Sequence, residues 1–336
     1  MANKDEPLRL FDGADLSEEQ RVAFAELDAK VAAIKETGKV EALGGKKQAE
    51  AEAGAALLGR AASDDAAGVY ARSFVSDRKA LRRYLVAFKW IVLSALEAVL
   101  ASVAWREESV PKTLPALRAH EACVATRYME WIGHDRQGQP ILLIRSRCAD
   151  LEISREDRAC FLTWTLEFAT RFLMDESRGV ERWCIIIDET AKEWKHTDNS
   201  FLSSVTPVVF SHFVERLNKA WLVNPGMLTS AAVSVVKLFL DDRTRNKFGA
   251  VHGTKVAASP TETASEPAPT PDVLVELDRQ VPRKSYQVPE LCEVLGAENV
   301  PSFLGGTKAP EPLDAYQKRI DAAWASSPDR QLAENA

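Results

Sequence analysis

FVERLNKAWLVNPGMLTSAAVSVVKLFLDDRTRNKFGAVHG, residues 213–253, is the stretch on which the reading of the fold turns. It opens with an ionic pair of neighbours, Glu215 and Arg216. Residues 220–223 (AWLV) form a short apolar run suited to a buried strand. Asn224-Pro225-Gly226 then supplies a turn, since each of these residue types favours turn geometry for its own reason. Residues 227–240 have the length of a helix, closed by Asp241-Asp242 and a polar, basic turn over 243–247. After Met227, the residues Leu228, Ala231, Val235, Leu238 and Phe239 recur at helical spacing on one side. Val233, Val236 and Leu240 lie off that stripe and are apolar as well, which leaves Thr229, Ser230, Ser234 and Lys237 as polar relief. A helix apolar nearly all round must bury most of its surface. It is either a central core helix or a helix with protein on one side and an apolar ligand on the other.

Working outward, the flanking segments read as an α/β domain. Residues 133–140 (GHDRQGQP) are a polar turn, and 141–144 (ILLI) and 183–187 (WCIII) are apolar runs of strand length, the second ending at Asp188. Between them, 154–174 is an amphipathic helix with Phe161, Trp164, Phe168 and Phe172 on one face. A further helix over 201–217 carries Val205, Val208, Val209, Phe213 and Leu217. Continuous apolar strands alternating with helices predict a largely parallel sheet covered by helices.

Residues 68–118 read as helices whose core positions are Leu81, Tyr84, Leu85, Phe88, Ile91, Leu96, Val99, Leu100 and Val103. Before them, 1–67 is rich in Ala, Glu and Lys. One helix is predicted after Ser17, with Gln20 completing a capping box, then a break at Gly44-Gly45 and a weaker helical piece over 46–60. The sequence leaves open whether this extension is a docked helical pair or partly disordered. Residues 254–271 are rich in Pro, Ala, Thr, Ser and Glu and cannot bury enough apolar surface to fold. A short helix over 313–324 is predicted in the tail.

Composition narrows the function. Of 336 residues, 46% are hydrophobic and 27% charged, ordinary values for a soluble domain. A net charge of −6 argues against a general nucleic-acid binder, which needs a broad basic face. The five cysteines are scattered without a C-x-x-C pair, as expected of buried thiols in a reducing compartment. The first residues show no signal-peptide pattern, and residues 90–105 are too short and too polar, with Glu97, to span a bilayer. A cytoplasmic protein is the expectation. No nucleophile elbow, phosphate loop, dinucleotide fingerprint or zinc motif occurs, and the five histidines are dispersed. No catalytic residue, metal or cofactor is therefore expected.

Several pieces in fixed order carry a resemblance. Val214-Glu215-Arg216-Leu217, then Asn224-Pro225, then Phe239-Leu240-Asp241-Asp242-Arg243-Thr244 with Lys247, resemble the signature region of the CRAL-TRIO lipid-binding family, in particular its phosphatidylinositol/phosphatidylcholine transfer branch. Residues 83–90 (RYLVAFKW) resemble the family's basic N-terminal motif, with Val86 and Phe88 standing where the family has arginines. Residues 300–306 (VPSFLGG) resemble its terminal motif. The resemblance runs from about residue 81 to 306. It implies a small helical domain at 68–118 and a CRAL-TRIO domain at 119–307, with 254–287 as an inserted, partly disordered loop. Residues 1–67 and 308–336 are then an N-terminal extension and a C-terminal tail.

The same resemblance assigns roles. Residues 227–240 become a mobile gate over a lipid pocket, lined by Met227, Leu228, Ala231, Val235, Leu238 and Phe239. Glu215, Thr244, Lys247 and Lys89 match headgroup-binding positions: an ammonium and a hydroxyl donate to phosphate, and a carboxylate accepts from inositol hydroxyls. A structural ion pair at Glu215 is the plainer alternative. The choline-binding Ser-x-Thr pair is replaced by Trp183 and Ile185, which turns the expectation from phosphatidylcholine toward phosphatidylinositol. Arg78, Lys79, Arg82 and Arg83 share a helix face that either meets anionic membrane lipid or is simply solvated. The expectation is a monomer that binds a phospholipid and transiently touches membranes, with no nucleic-acid partner. The alternatives are a lipid-sensing adaptor that recruits proteins, or the same fold carrying tocopherol, a retinoid or a sterol.

Overall fold

A computed structural model describes residues 16–60, 74–109, 121–227, 229, 233, 236, 240, 242–255 and 286–326. The chain divides into two units: Met1–Thr113 with Pro207–Arg216 and Ser327–Ala336, and Leu114–Thr206 with Leu217–Ser326.

The first unit is helical. Its helix α1 (Glu18–Thr37) starts at the expected capping box, in which Ser17 Oγ accepts from the Gln20 amide and Gln20 Oε1 accepts from the Ser17 amide. Leu27, Val31 and Ile34 fall on one face and are buried. The second helix, α2 (Gln48–Leu58), buries Ala51, Ala55 and Leu58 completely. They join Leu81, Tyr84 and Leu85 of α3 (Arg78–Ala87) and Leu96, Val99 and Leu100 of α4 (Val92–Ser109) in one core, whereas Ile91, expected there, lies between the two helices and is 58% exposed. Residues 16–60 of the extension are thus a docked part of this core. Small residues make this possible: a Cβ on Gly54 would lie 2.0 Å from the Leu100 carbonyl oxygen.

The expected basic face of α3 is only partly a surface. Arg83 is 3% exposed, with Nη2 3.1 Å from Asp77 Oδ2, whereas Arg78 is exposed. Four residues at i, i+1, i+4 and i+5 span a wide arc of a helix, and the core claims one edge of it.

Residues 207–216 complete this unit with a buried polar network. The Tyr84 hydroxyl donates to Ser102 Oγ at 2.6 Å, and Ser102 Oγ lies 2.7 Å from His212 Nδ1. The His212 ring stacks on Trp105 at 4.2 Å, and Arg106 Nη2 donates to the His212 carbonyl at 2.7 Å.

The second unit is a five-stranded sheet in the order β1 (Met129–His134), β2 (Pro140–Arg145), β3 (Trp183–Asp188), β4 (Leu217–Val223) and β5 (Phe248–Val251). Strands β1 and β2 are antiparallel, and the other three pairs are parallel. The α/β architecture is as expected; β1 and β5 were not foreseen, and β4 begins three residues earlier than predicted. Leu217, placed in a helix by its spacing, is a strand residue. Helix α6 (Arg155–Phe168) links β2 to β3, while α5 (Glu121–Ala125) precedes β1. Helix α7 (Asn199–His212) links β3 to β4, and its chain turns at Glu215, whose φ is 56°.

Because the parallel strands follow in sequence order, right-handed crossovers place their connections on one face of the sheet. The other face is solid. Ile141, Leu143, Cys184, Ile186, Trp221, Val223 and Val251 pack there with Leu291 and Leu295 of α8 (Pro289–Leu295). Thr254–Lys255 pairs antiparallel with Tyr286–Gln287, so the ends of the expected inserted loop form a two-stranded ribbon; its interior lies outside the described residues. The described part of the expected tail, up to Ser326, also belongs to this unit. Helix α9 (Leu313–Ala325) buries Tyr316 and Ile320, and Arg319 Nη2 donates to the Trp131 carbonyl at 2.8 Å.

Candidate ligand-binding cavity

On the crossover face the second unit encloses a cavity of about 650 Å³. Its floor is one register row. Met129 lies opposite Ile144, Ile144 opposite Ile187, Ile187 opposite Leu222, and Leu222 opposite Ala250, and all five line the space. Side chains alternate between the faces of a strand, so this row and the solid core opposite come from the same apolar runs. Phe161 of α6 and Phe201 and Leu202 of α7 form walls.

The segment 227–240 contributes Thr229, Val233, Val236 and Leu240. These four recur at helical spacing, and Met227, Thr229, Val233 and Val236 are helical. They form the face that sequence periodicity ranked second. Met227, expected among the lining residues, is 92% exposed and does not border the cavity. Leu228, Ala231, Val235, Leu238 and Phe239 lie outside the described residues. A segment apolar on both sides gives the periodicity no way to choose which side meets the cavity.

The expected headgroup residues fall in both units. Lys89, at the end of α3, and Glu215 belong to the first, and each has a positive φ, 54° and 56°. Thr244 and Lys247 belong to the second, where they share a tight turn: the Lys247 amide donates to the Thr244 carbonyl at 3.0 Å, and the Ala220 amide to the Lys247 carbonyl at 2.9 Å. Neither Thr244 nor Lys247 lines the cavity; Arg245 between them does, with Nη2 donating to the Leu240 carbonyl at 3.0 Å.

A polar wall went unnoticed in the sequence. Glu189, one residue past β3, is 6% exposed and lines the cavity. Ser146 Oγ and Thr229 Oγ1 donate to its two carboxylate oxygens, each at 2.5 Å, and Lys192 Nζ lies 2.9 Å from Oε2. Tyr128 lines the same wall, and burial, reinforced by the Glu189 charge, pushes its phenol up to about 12. Arg158 is held by Asp198 at 2.8 Å. The side chains of Asp198 and the buried Asp188 on β3 are likewise paired, the latter with Arg147 at 2.5 Å. The lining carries as many carboxylates (Asp150, Glu189, Asp198) as lysines and arginines (Arg158, Lys192, Arg245), beside His196. The one available signal was Asp188-Glu189 directly after an apolar strand.

Among the described residues, no group of acids, histidines and cysteines could hold a metal ion, and no helix is long and apolar enough to cross a membrane. Of the cysteines, Cys123, Cys148 and Cys184 are buried, Cys292 is half-buried, and Cys160 is exposed on α6. None forms a disulfide.

Comparison with known proteins bears on this unit. Three curated relatives, each called "Protein real-time", match about half of the chain. Those of Aedes aegypti and Anopheles gambiae are 24% identical over 189 and 187 residues, and that of Drosophila pseudoobscura pseudoobscura is 21% identical over 187. The matched region spans 27–29% of the length of these relatives. The solved structure described as "Crystal structure of Sfh5" shares 13% identity, covering 71% of this chain and 81% of its own, with a TM-score of 0.48. The family model described as "CRAL/TRIO domain" matches residues 126–260, which run from just before β1 past β5. Proteins with this domain generally bind and transfer lipids or other hydrophobic ligands. Residues 126–260 of this chain are thus similar to a CRAL/TRIO domain.

Proposed function

We propose that this chain binds a phospholipid in the cavity of its second unit and transfers it between membranes or presents it at one, working in the cytoplasm as a transiently membrane-associated monomer. The register row from Met129 to Ala250 carries this reading: five strands line a hollow with side chains that a packed core would otherwise bury. A two-chain lipid carries roughly 30 methylenes, each worth about 0.8 kcal/mol when kept from water. A carrier must match the bilayer's apolar interior for exchange to proceed at all. Phosphatidylinositol is the first candidate because Glu215, Thr244, Lys247 and Lys89 match the headgroup-binding positions of the family that the sequence resembles. Mass spectrometry of lipid extracted from the purified chain tests this. Phosphatidylinositol should dominate the extract, and labelled phosphatidylinositol should move between vesicles; an extract without lipid, together with no transfer, defeats the proposal.

A second ligand is favoured by the lining: its equal numbers of carboxylates and fixed cations suit an uncharged polar end, as on a compact hydrophobe such as tocopherol, a retinoid or a sterol. The same extract decides between the two.

A further inference from the structure

We propose that the corner between α3 and α4 is a docking site for an anionic membrane surface, entered by Ile91 and Leu93 while Lys89 and Lys46 stay with the lipid headgroups. The inference rests on the membrane contact of the proposed function and names a surface for it, in the helical unit and outside the cavity.

The corner departs from ordinary turn chemistry at three successive residues. Lys89 and Trp90 both take the left-handed conformation, with φ of 54° and 64°, where glycine or asparagine is the usual choice. The turn is held by the Trp90 amide, which donates to the Leu85 carbonyl at 2.7 Å, and the Lys89 amide, which donates to the Val86 carbonyl at 3.2 Å. Ile91 then stands at the N-cap position of α4, its carbonyl accepting from the Ala95 amide at 3.0 Å. Its side chain has no oxygen to cap the helix, unlike Ser17 and Asp77, which open α1 and α3. The first turn of α4 also lacks the acid that a helix start favours. Local stability alone would select glycine or asparagine twice and then serine or aspartate; the chain carries Lys, Trp and Ile. Departures of this kind mark sites selected for something other than stability.

The corner gains an apolar tip by them. Ile91 is 58% and Leu93 47% exposed, although Trp90 and Val92 beside them pack on the core. Two side chains are too few to centre a protein interface, which takes about 20–30 residues a side. They suffice for shallow entry into a bilayer, which has no shape to match, when basic residues stand beside them. Lys89 is exposed at the tip and forms no ion pair with a described residue. Lys46 is exposed as well, and its segment lies over the turn after Leu93, where the Lys47 amide donates to Glu97 Oε1 at 2.7 Å. That bond engages the first acid of α4. The half-buried indole of Trp90, between tip and core, suits the headgroup level.

The test is flotation of the purified full chain with vesicles of phosphatidylcholine and phosphatidylserine, and with vesicles of phosphatidylcholine alone. The parent should prefer the mixed vesicles, and Ile91→Asn and Leu93→Gln should each bind them several-fold more weakly. Asparagine caps a helix, so Ile91→Asn should keep or raise the melting temperature, which separates docking from a structural role. Should that variant melt earlier, Leu93→Gln decides alone. Val22→Gln should bind as the parent: Val22 is 59% exposed on α1, two residues from Phe24, whose ring lies under Arg78 at the opposite end of α3. Equal binding by the parent and both tip variants overturns the proposal. So does a parent that floats with neither vesicle, the result expected if a protein covers the tip, or one that binds both vesicles equally. Neither tip residue lines the cavity, so lipid extracted from the variants should match the parent. A chain that docks through Ile91 yet yields no lipid refutes the carrier reading and leaves the docking site standing.

Discussion

Ile187 on β3 and Leu222 on β4 stand opposite each other in the parallel register and both face the cavity, while their neighbours Ile186 and Trp221, also opposite each other, are buried in the solid core behind the sheet. One residue of register separates a hollow face from a filled one. Everything placed in the cavity depends on that alternation.

Ala250 ends the same row on β5. Ala250→Phe directs its ring into the space that a ligand would fill. Lipid recovered per mole of protein should fall about tenfold or more, and the melting temperature should hold or rise, because filling a cavity restores contacts. Extraction and calorimetry on the same sample check both.

The headgroup assignment makes a separate claim. Lys247→Ala and Glu215→Ala should each lower phosphatidylinositol loading about tenfold, the value of one charge-assisted hydrogen bond. Circular dichroism should be unchanged. Uniform loss of every lipid class would instead mean that the pocket itself was damaged.

Trp194 and Met227 are 76% and 92% exposed. Lys192 and His196 on either side of Trp194, and Pro225 and Thr229 on either side of Met227, line the cavity. Indole rings favour the membrane interface. If ligand enters from a bilayer at this rim, Trp194→Ala should reduce co-sedimentation with phosphatidylcholine/phosphatidylinositol vesicles several-fold, and Val294→Ala, at the 53% exposed Val294 of α8, should not.

In the helical unit, Gly54→Ala should destabilise the chain although alanine gains about 1 kcal/mol of helix propensity. The new methyl meets the backbone oxygen of Leu100 at 2.0 Å, and backbone of a packed helix cannot step aside. A net loss of up to about 2 kcal/mol in urea titration follows from overpacking less that propensity gain.

His212 gives this unit a pH dependence. Burial, with Arg106 and Lys47 adding to it, lowers its pKa from 6.5 to about 3. Between those values the unfolded chain takes up a proton that the folded chain refuses. The contribution is complete above the unfolded pKa and declines as pH falls toward 3, by at most about 1.4 kcal/mol per unit. Denaturation at pH 7 and pH 5 should show the decline, and His212→Gln should flatten it.

The sequence by itself determined the order of elements and the class of fold. Local patterns suffice for that: the apolar runs ILLI and WCIII, the Ser17–Gln20 capping box and the turn at Asn224 each act over a few residues. Its motifs also resemble the CRAL-TRIO family, whose domain model matches residues 126–260. Only tertiary structure decided which side of each strand is hollow, that Thr229, Val233 and Val236 face inward while Met227 faces solvent, that Arg83 is buried, and that Glu189 gathers Ser146, Lys192 and Thr229. Those outcomes depend on which surfaces meet across the sheet, and residues 146, 189 and 229 carry no common spacing that a linear pattern could reveal. A run apolar on every side fixes that it must be covered, whereas the partner brought opposite by the fold fixes what covers it.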